Sequence, residues 1–152
     1  MDINELRVRH MIRALADCAV ETSSKAMQDM IKHLFDARIN NGVNEKCDIF
    51  LAEAMCSLMK HTVETVLTSE KFQDIRNIPN IPEESVQLAS TVLEIAADRF
   101  SEEYIGFVKA KDLTTLEDHI RALKAVEIYL TVKDYPGFCE YVYNKLREKE
   151  HE

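Results

Sequence analysis

Five histidines and four cysteines are the side chains in this sequence best suited to acid–base, nucleophilic or metal chemistry. A nucleophilic site needs one of them beside a base, with hydrogen-bond donors for the developing oxyanion. The sequence contains no Gly-x-Ser-x-Gly turn, and Cys18, Cys47, Cys56 and Cys139 lie far apart without a glycine-rich or aromatic context. We therefore interpret the cysteines as small hydrophobic residues and predict no catalytic nucleophile.

Metal sites in helical bundles usually pair Glu and His three residues apart, so that both side chains share one helix face. Only Glu148 and His151 have this spacing, and they lie in the charged tail at about 147–152. The all-α nucleotide pyrophosphohydrolases bind magnesium through Glu-x-x-Glu on one helix and Glu-x-x-Asp on a later one. Glu45 and Asp48 have the second spacing, but no Glu-x-x-Glu precedes them. A metal-dependent nucleotide hydrolase is therefore only an alternative, and no metal ligand or cofactor is assigned.

The sequence lacks the usual features of phosphate-binding and nucleic-acid-binding proteins. The three glycines are too dispersed for a phosphate-binding loop. Arg9, His10 and Arg13 share the outer face of the first predicted helix, but Asp17 lies on that face as well. A solvated helix face explains this small basic cluster as well as a nucleic-acid contact does.

The most informative segment is the helix predicted from residue 83 to about residue 108, where a helical projection separates two faces. One face is apolar and predicts a core contact. The other face carries carboxylates, all within about 80° of Glu84, and two aliphatic residues lie among them. We call this second face the acidic stripe. It comprises Glu84, Leu88, Thr91, Glu94, Ile95, Asp98 and Glu102.

Leu88 and Ile95, the two aliphatic residues of the acidic stripe, have more than one explanation. If this helix is central in the bundle, a neighbouring element covers both of them and they belong to the core. If they are exposed, they are apolar anchors ringed by carboxylates, which is the composition of a protein-binding patch. A homodimer seam is the third explanation.

Helical periodicity of apolar residues extends over most of the chain. The first forty residues are predicted as either one bent helix or two helices, with a break at residues 21–24. Residues 40–42, Asn-Asn-Gly, favour a helix end because Asn and Gly tolerate the left-handed backbone that helix ends need. The next helix, over 44–68, is predicted to bury some combination of apolar residues that includes Leu58.

Prolines and capping residues place the later helices. Pro79 and Pro82 mark the clearest interruption, because each removes a backbone donor and keeps the preceding residue extended. Thr114 with Glu117 has the spacing of a capping box, and Asp134 opens the last helix. The helices predicted after residue 42 span 44–68, 70–77, 83–108, 114–133 and 134–146.

Length and composition favour one folded domain of the all-α class. A chain of 152 residues has an ordinary domain size and needs no metal or disulfide to bury a core. Three glycines and three prolines are too few for the turns of a many-stranded β fold. We predict a single domain over residues 1–152, folded as a bundle of six or seven helices with a charged C-terminal tail at about 147–152.

Charge and cysteine usage indicate the compartment and the kind of partner. The net charge is −8; residues 1–76 carry 10 Lys and Arg against 12 Asp and Glu, and residues 77–152 carry 9 against 15. Such acidity opposes sequence-independent binding to nucleic acid or to an anionic membrane. The scattered cysteines and the lack of an apolar run of signal-sequence or membrane-spanning length predict a reducing, cytoplasmic location.

These observations predict a small acidic helical module that binds another protein and is not an enzyme. In its most concrete form it is a neutralising partner, of the immunity-protein or inhibitor type, that covers the basic surface of a toxin or nuclease through the acidic stripe. The alternatives are a homodimeric regulator or adaptor that uses the same stripe, and the metal-dependent nucleotide hydrolase. We expect no cofactor, no nucleic acid and no membrane as partners.

Overall fold

Five α-helices make up nearly all of the chain that the computed structural model describes, namely residues 3–40, 49–67, 83–113 and 115–150. No strand occurs in these ranges, so the prediction of an all-α bundle is confirmed. The helix count there is five instead of six or seven, and the short helix predicted at 70–77 lies outside the described residues. The elements are α1 (Ile3–Asn40), α2 (Ile49–Leu67), α3 (Glu83–Lys111), α4 (Leu116–Ile128), a π-helical segment (Tyr129–Lys133) and α5 (Tyr135–Glu150).

The first helix, α1, is continuous over 38 residues, and the break considered at residues 21–24 does not occur. Ser23 and Ser24 are fully buried within it, and Ser24 Oγ accepts a hydrogen bond of 2.9 Å from Gln28 Nε2. Serine has only modest helix propensity, but packing of a helix face commonly outweighs propensity. Ser23 and Ser24, which suggested a helix break in the sequence, are small residues that pack at a buried contact within one continuous helix.

The C-terminal end of α3 is set by a left-handed residue. Asp112 has a φ of 49°, and the following Leu113 donates its N–H to the carbonyl oxygen of Val108 at 3.3 Å. This hydrogen bond from the second residue beyond the helix is the Schellman arrangement, and Asp is one of the few residues that enter the left-handed region readily. It ends α3 at Lys111, three residues later than the sequence predicted.

Local capping positions α4 and α5. Thr115 is the N-cap of α4, and its side chain accepts a hydrogen bond of 3.2 Å from the N–H of Asp118. The cap was predicted one residue earlier, at Thr114, which lies outside the described residues. Helix α5 begins directly after Asp134, as predicted, and includes residues 147–150, so most of the segment predicted as a charged tail is helical.

One hydrophobic cluster joins all five helices and the π-helical segment, and α1 and α3 are both central because each contacts the other four helices. On α2 the buried residues include Met55 and Met59, whereas Leu58 is 57% exposed. Leu58 is therefore not part of the buried combination on this helix. Adjacent helical residues point about 100° apart, so the helix face that carries the two methionines leaves Leu58 outside.

Candidate functional site

The two aliphatic residues of the acidic stripe, Leu88 and Ile95, are not exposed at the surface. Ile95 is 3% exposed and belongs to the core, and Leu88 is partly buried and packs against the core. For Ile95 this corrects the interpretation as a surface anchor. The physical reason is the central position of α3: a helix that contacts four others has little of its circumference left for solvent.

Three carboxylates of the acidic stripe remain accessible. Asp98 forms an ion pair with Lys60 of α2, with 3.0 Å between Oδ1 and Nζ. Glu94 is exposed and lies 4.0 Å from Lys149 of α5, measured from Oε2 to Nζ. Glu102 is also exposed and makes no ion pair with any described residue. The acidic stripe therefore lies between α2 and α5, and its charge is only partly compensated by their lysines.

The remaining residues of the acidic stripe contribute little to a contact surface. Thr91 is partly buried, and its hydroxyl donates a hydrogen bond of 2.9 Å to the carbonyl oxygen of Gln87 in its own helix. Glu84 lies in α3, and its side chain is outside the described part of the structure. The structure thus brings Asp98 and Glu102 together on one accessible surface and separates them from the buried Ile95.

Asp98 and Glu102 lie along an open groove between α2 and α3 that encloses about 660 Å³. One wall carries the charged residues of α2, and the other carries those of α3, with small side chains between them. We call this feature the α2–α3 groove. It is lined by Glu53, Cys56, Ser57, Lys60, Asp98, Ser101, Glu102, Ile105, Gly106 and Lys109.

The groove has an acidic character that its own lysines do not cancel. Asp98 is paired with Lys60, but Glu53 on α2 and Glu102 on α3 have no Lys or Arg within 4.0 Å in the described ranges. Both of these carboxylates are exposed. A cation that entered the groove would therefore meet carboxylates from both walls that form no direct ion pair, although Glu102 also interacts electrostatically with Lys145 of α5.

Two small polar side chains lie at the floor of the groove. Burial raises the pKa of the Cys56 thiol to about 11, so this thiol is protonated at neutral pH. Ser101 Oγ lies near that thiol but does not reach hydrogen-bonding geometry with it, and it is buried without a hydrogen-bond partner among the described residues. The floor of the groove therefore offers a protonated thiol and a hydroxyl group for polar contacts.

The basic cluster on α1 is held against α5 by aromatic rings. The Arg9 guanidinium lies 5.4 Å from the ring centroid of Tyr143, and that of Arg13 lies 6.0 Å from the ring centroid of Tyr135. Tyr135 also donates a hydrogen bond of 3.3 Å to Asp17 Oδ2. These contacts give the arginines a role in packing α1 against α5, which neither of the two explanations drawn from the sequence included.

Metal chemistry has no assembled ligand set in the part of the chain that the structure describes. No group of three or more His, Cys, Asp or Glu side chains there is placed to hold an ion. The carboxylate pair Glu45 and Asp48, and His151, lie outside the described residues. Glu148 is within 3.4 Å of Lys145, measured between Oε2 and Nζ.

Two features of the structure were missed by the sequence reasoning. Tyr104 and His119 are fully buried and hydrogen-bonded to each other, and nothing in either residue's local pattern pairs them. An exposed apolar surface occurs at Ile128, Tyr129 and Val132. The spacing of Ile128 and Val132, four residues apart and off the stripe that contains Val126 and Leu130, is a signal that could have identified this surface.

Among the described helices, none combines the length with the apolar character that a membrane crossing requires. No protein-family model matches the chain, and neither the curated proteins nor the solved structures contain a match. Function must therefore be argued from the residues and their geometry.

Proposed function

We propose that this protein is a small acidic protein-binding module that covers a basic surface of another protein with the α2–α3 groove. The observation that carries the proposal is the pair of exposed carboxylates, Glu53 and Glu102, that face the groove from opposite helices without an ion-pair partner in the described ranges. Uncommitted carboxylates on a protein with a net charge of −8 favour encounter with a positively charged partner.

The geometry of the groove favours a protruding cationic side chain. An arginine or lysine of the partner would place its methylene stem over Ile105 and Gly106, and its charged end between Glu53 and Glu102. Lys60 and Lys109 flank this path and would oppose a partner whose positive charges were placed differently. The lysines thus supply specificity by repulsion, and the carboxylates supply attraction.

A neutralising partner of the immunity-protein or inhibitor type is the most concrete form of this proposal. Such a protein needs a stable scaffold and a surface complementary to a basic toxin or nuclease, and it needs no chemistry of its own. Asp98 and Glu102 lie one turn apart on α3 and line the groove, and Glu94, one further turn away and near Lys149 of α5, would extend the acidic contact along the helix.

The proposal is tested by reversing the two uncommitted charges, Glu53→Lys with Glu102→Lys, and capturing partners from the source cell. We expect basic partners that bind the wild-type protein at moderate salt to be lost in this variant. Asp36→Lys with Glu140→Lys is the matched control, because it changes the net charge equally at exposed residues on α1 and α5. Retention of the same partners by the groove variant would show that the groove is not the interface.

A second variant tests the shape of the groove without changing the net charge of the protein. Gly106 lines the groove, and a Cβ atom added there would meet nothing within 4 Å. Gly106→Gln fills part of the groove without changing charge, so we expect it to weaken capture of the same basic partners. Unchanged capture by this variant would restrict the interface to the rim of the groove.

The two alternatives are separated from this proposal by simple measurements. A homodimer that uses the acidic stripe against itself would set Glu102 near carboxylates of the second copy, and the repulsion would require high salt for association. Sedimentation at several salt concentrations tests this. A metal-dependent hydrolase would gain thermal stability from Mg²⁺ or Mn²⁺, which melting curves with and without the ions measure.

A further inference from the structure

The second candidate surface of this protein is apolar and lies where α4 passes into the π-helical segment. Ile128 is 46% exposed, Tyr129 is 38% exposed and Val132 is 69% exposed. Among the described residues the other large hydrophobic side chains with comparable exposure are Leu6, Val8 and Leu58, on α1 and α2. We call Ile128, Tyr129 and Val132 the apolar patch. Its three residues fall within five consecutive positions, whereas single exposed apolar residues are ordinary on protein surfaces.

The backbone at the apolar patch is unusual and well determined by hydrogen bonds. The segment Tyr129–Lys133 is π-helical, and the N–H of Asp134 donates to the carbonyl oxygen of Tyr129 at 2.7 Å. The Tyr129 hydroxyl donates to Asp134 Oδ2 at 3.2 Å, which orients the ring. Single π-helical turns are rare and occur frequently at functional sites. The patch therefore presents an aromatic ring oriented by a hydrogen bond, next to two branched aliphatic side chains, which lowers the entropy lost on docking.

Positive charges bracket the apolar patch along the helix axis. Lys124 lies one turn before Ile128, and Lys133 directly follows Val132; both lysines are exposed. Neither makes an ion pair with any residue in the described ranges. This separates them from Arg121, whose guanidinium is already paired with a carboxylate one turn earlier on α4.

The acidic residues near the apolar patch, Asp134, Glu127 and Glu103, are each less exposed than its two lysines, and Glu103 is paired with Arg99. Asp134 accepts the hydrogen bond from the Tyr129 hydroxyl. Glu127 is partly buried on the side of α4 that faces α1, and it interacts electrostatically with Glu21 and, without a direct ion pair, with Lys124. The most exposed charges beside the patch are therefore those of the two lysines, although the whole chain has a net charge of −8.

We infer that the apolar patch is a docking surface for an amphipathic helix of a second, acidic partner protein, with Lys124 and Lys133 binding carboxylates on the flanks of that helix. The three patch residues would pack against apolar side chains spaced along one face of the partner helix. Charge complementarity favours an acidic partner over a second copy of this chain. A second copy docked about a twofold axis would bring the lysines of the two copies together, and it would also bring two chains with a net charge of −8 each into contact.

This docking surface is independent of the proposed groove. It lies on α4 and the π-helical segment, whereas the groove lies between α2 and α3, and the two surfaces select partners of opposite charge. If both are occupied, the protein bridges a basic partner and an acidic one. The patch is tested without reference to the groove, so that failure of one does not decide the other.

The experiment uses the full chain and two short fluorescent helical peptides as probes. Both peptides carry leucines at i, i+3 and i+7; one has glutamates on both flanks of this stripe and the other has lysines. Fluorescence anisotropy is expected to show that the glutamate-flanked peptide binds at least about tenfold more tightly than the lysine-flanked peptide. Lys124→Glu with Lys133→Glu is expected to invert this preference.

A neutral substitution tests the apolar contribution. Ile128→Asn with Val132→Asn is expected to weaken binding of the glutamate-flanked peptide by about tenfold or more. Leu58→Asn is the matched control, because Leu58 is 57% exposed on α2, away from the patch, and binding should be unchanged. All of these positions are exposed, and thermal melting checks that each variant is folded.

Three results would overturn the inference. Failure of both peptides to bind the wild-type protein at up to about 1 mM would show that the patch does not dock acidic helices. Equal affinity for both peptides would remove the role of the two lysines. A wild-type dimer in sedimentation that Ile128→Asn with Val132→Asn converts to a monomer would assign the patch to a second copy of this chain.

Discussion

Tyr104 of α3 and His119 of α4 are joined by a hydrogen bond of 2.6 Å between the phenolic oxygen and the ring Nδ1, and both side chains are fully buried. Their rings meet edge to face, with the centroids 6.0 Å apart and an interplanar angle of 65°. Polar groups are rarely buried without a partner, because desolvation without a hydrogen bond is costly. This contact therefore fixes how α3 and α4 pack against each other.

Replacing Tyr104 with Phe is expected to lower the free energy of unfolding by about 1–3 kcal/mol, because the buried His119 loses this hydrogen bond. Chemical denaturation measures the change. Tyr129→Phe is the matched control, since the Tyr129 hydroxyl bonds to Asp134 at an exposed position, and its loss should be smaller. Equal losses in the two variants would show that burial does not strengthen the contact between Tyr104 and His119.

Ile95 tests whether the acidic stripe contains a surface anchor or a core residue. Ile95→Ala is expected to lower the free energy of unfolding by about 2–5 kcal/mol, because it removes buried methyl and methylene groups and leaves a cavity. Ile128→Ala makes the same chemical change at a residue that is 46% exposed, and the expected loss there is below about 0.5 kcal/mol. Urea or guanidinium titration of both variants provides the comparison. Similar small losses would place Ile95 at the surface.

The exposed and the buried cysteine thiols are expected to react with a disulfide reagent at very different rates. Cys18 is exposed, whereas Cys56 and Cys139 are buried, and burial raises the pKa of both buried thiols. With a pKa of about 11, on the order of one Cys56 thiol in a thousand is ionised at pH 8, and the thiolate is the reactive form. In a Cys47→Ser background, which removes the one cysteine outside the described residues, a disulfide reagent should modify Cys18 rapidly under native conditions. Cys56 and Cys139 should react only in denaturant, and rapid native modification of Cys56 would contradict its burial.

Asp17 should make stability fall as pH rises through the acidic range. Burial raises its pKa, with a further contribution from the Glu21 carboxylate, while the Tyr135 hydroxyl acts in the opposite direction by donating to Asp17. The folded state then holds the Asp17 proton more tightly than the unfolded chain. The free energy of unfolding therefore decreases as pH rises from the pKa of Asp17 in the unfolded chain, near 4, to its higher pKa in the folded protein.

The measurement is the free energy of unfolding of wild type and Asp17→Asn from pH 4 to pH 7. The variant carries no charge at this position, so its advantage over wild type should increase as pH rises. Asp36→Asn, at an exposed carboxyl on the same helix, corrects for the change in net charge. An advantage that stayed constant or declined with pH would mean that Asp17 is ionised without cost in the folded protein.

Gly106 is expected to be a site of stabilisation. It lies in the middle of α3, and a Cβ atom there would meet nothing within 4 Å. Gly106→Ala should therefore raise the free energy of unfolding by about 0.5–1 kcal/mol through the smaller backbone entropy of the unfolded chain. Thermal and chemical denaturation measure it. A loss of stability would mean that the groove wall is more crowded than its geometry indicates.

Local chemistry in the sequence was sufficient to predict the all-α class and the start of the last helix. Asp134 predicted the start of α5, because a capping residue acts within the first turn of a helix, whereas the helix end predicted at residues 40–42 reaches beyond the described residues. The end of α3 was predicted too early, since Asp112 adopts the left-handed conformation without the glycine that usually signals it.

Burial was decided by the tertiary structure. The helical period shows which residues share a face, but it does not show which faces another helix covers. In the sequence Ile95 lies among carboxylates, but in the structure it lies in the core, because α3 contacts four other helices. Leu58 is exposed to solvent, because α2 packs against the core through Met55 and Met59. The pairing of Tyr104 with His119, fifteen positions apart and on different helices, likewise depends on how α3 and α4 pack, so no local pattern contains it.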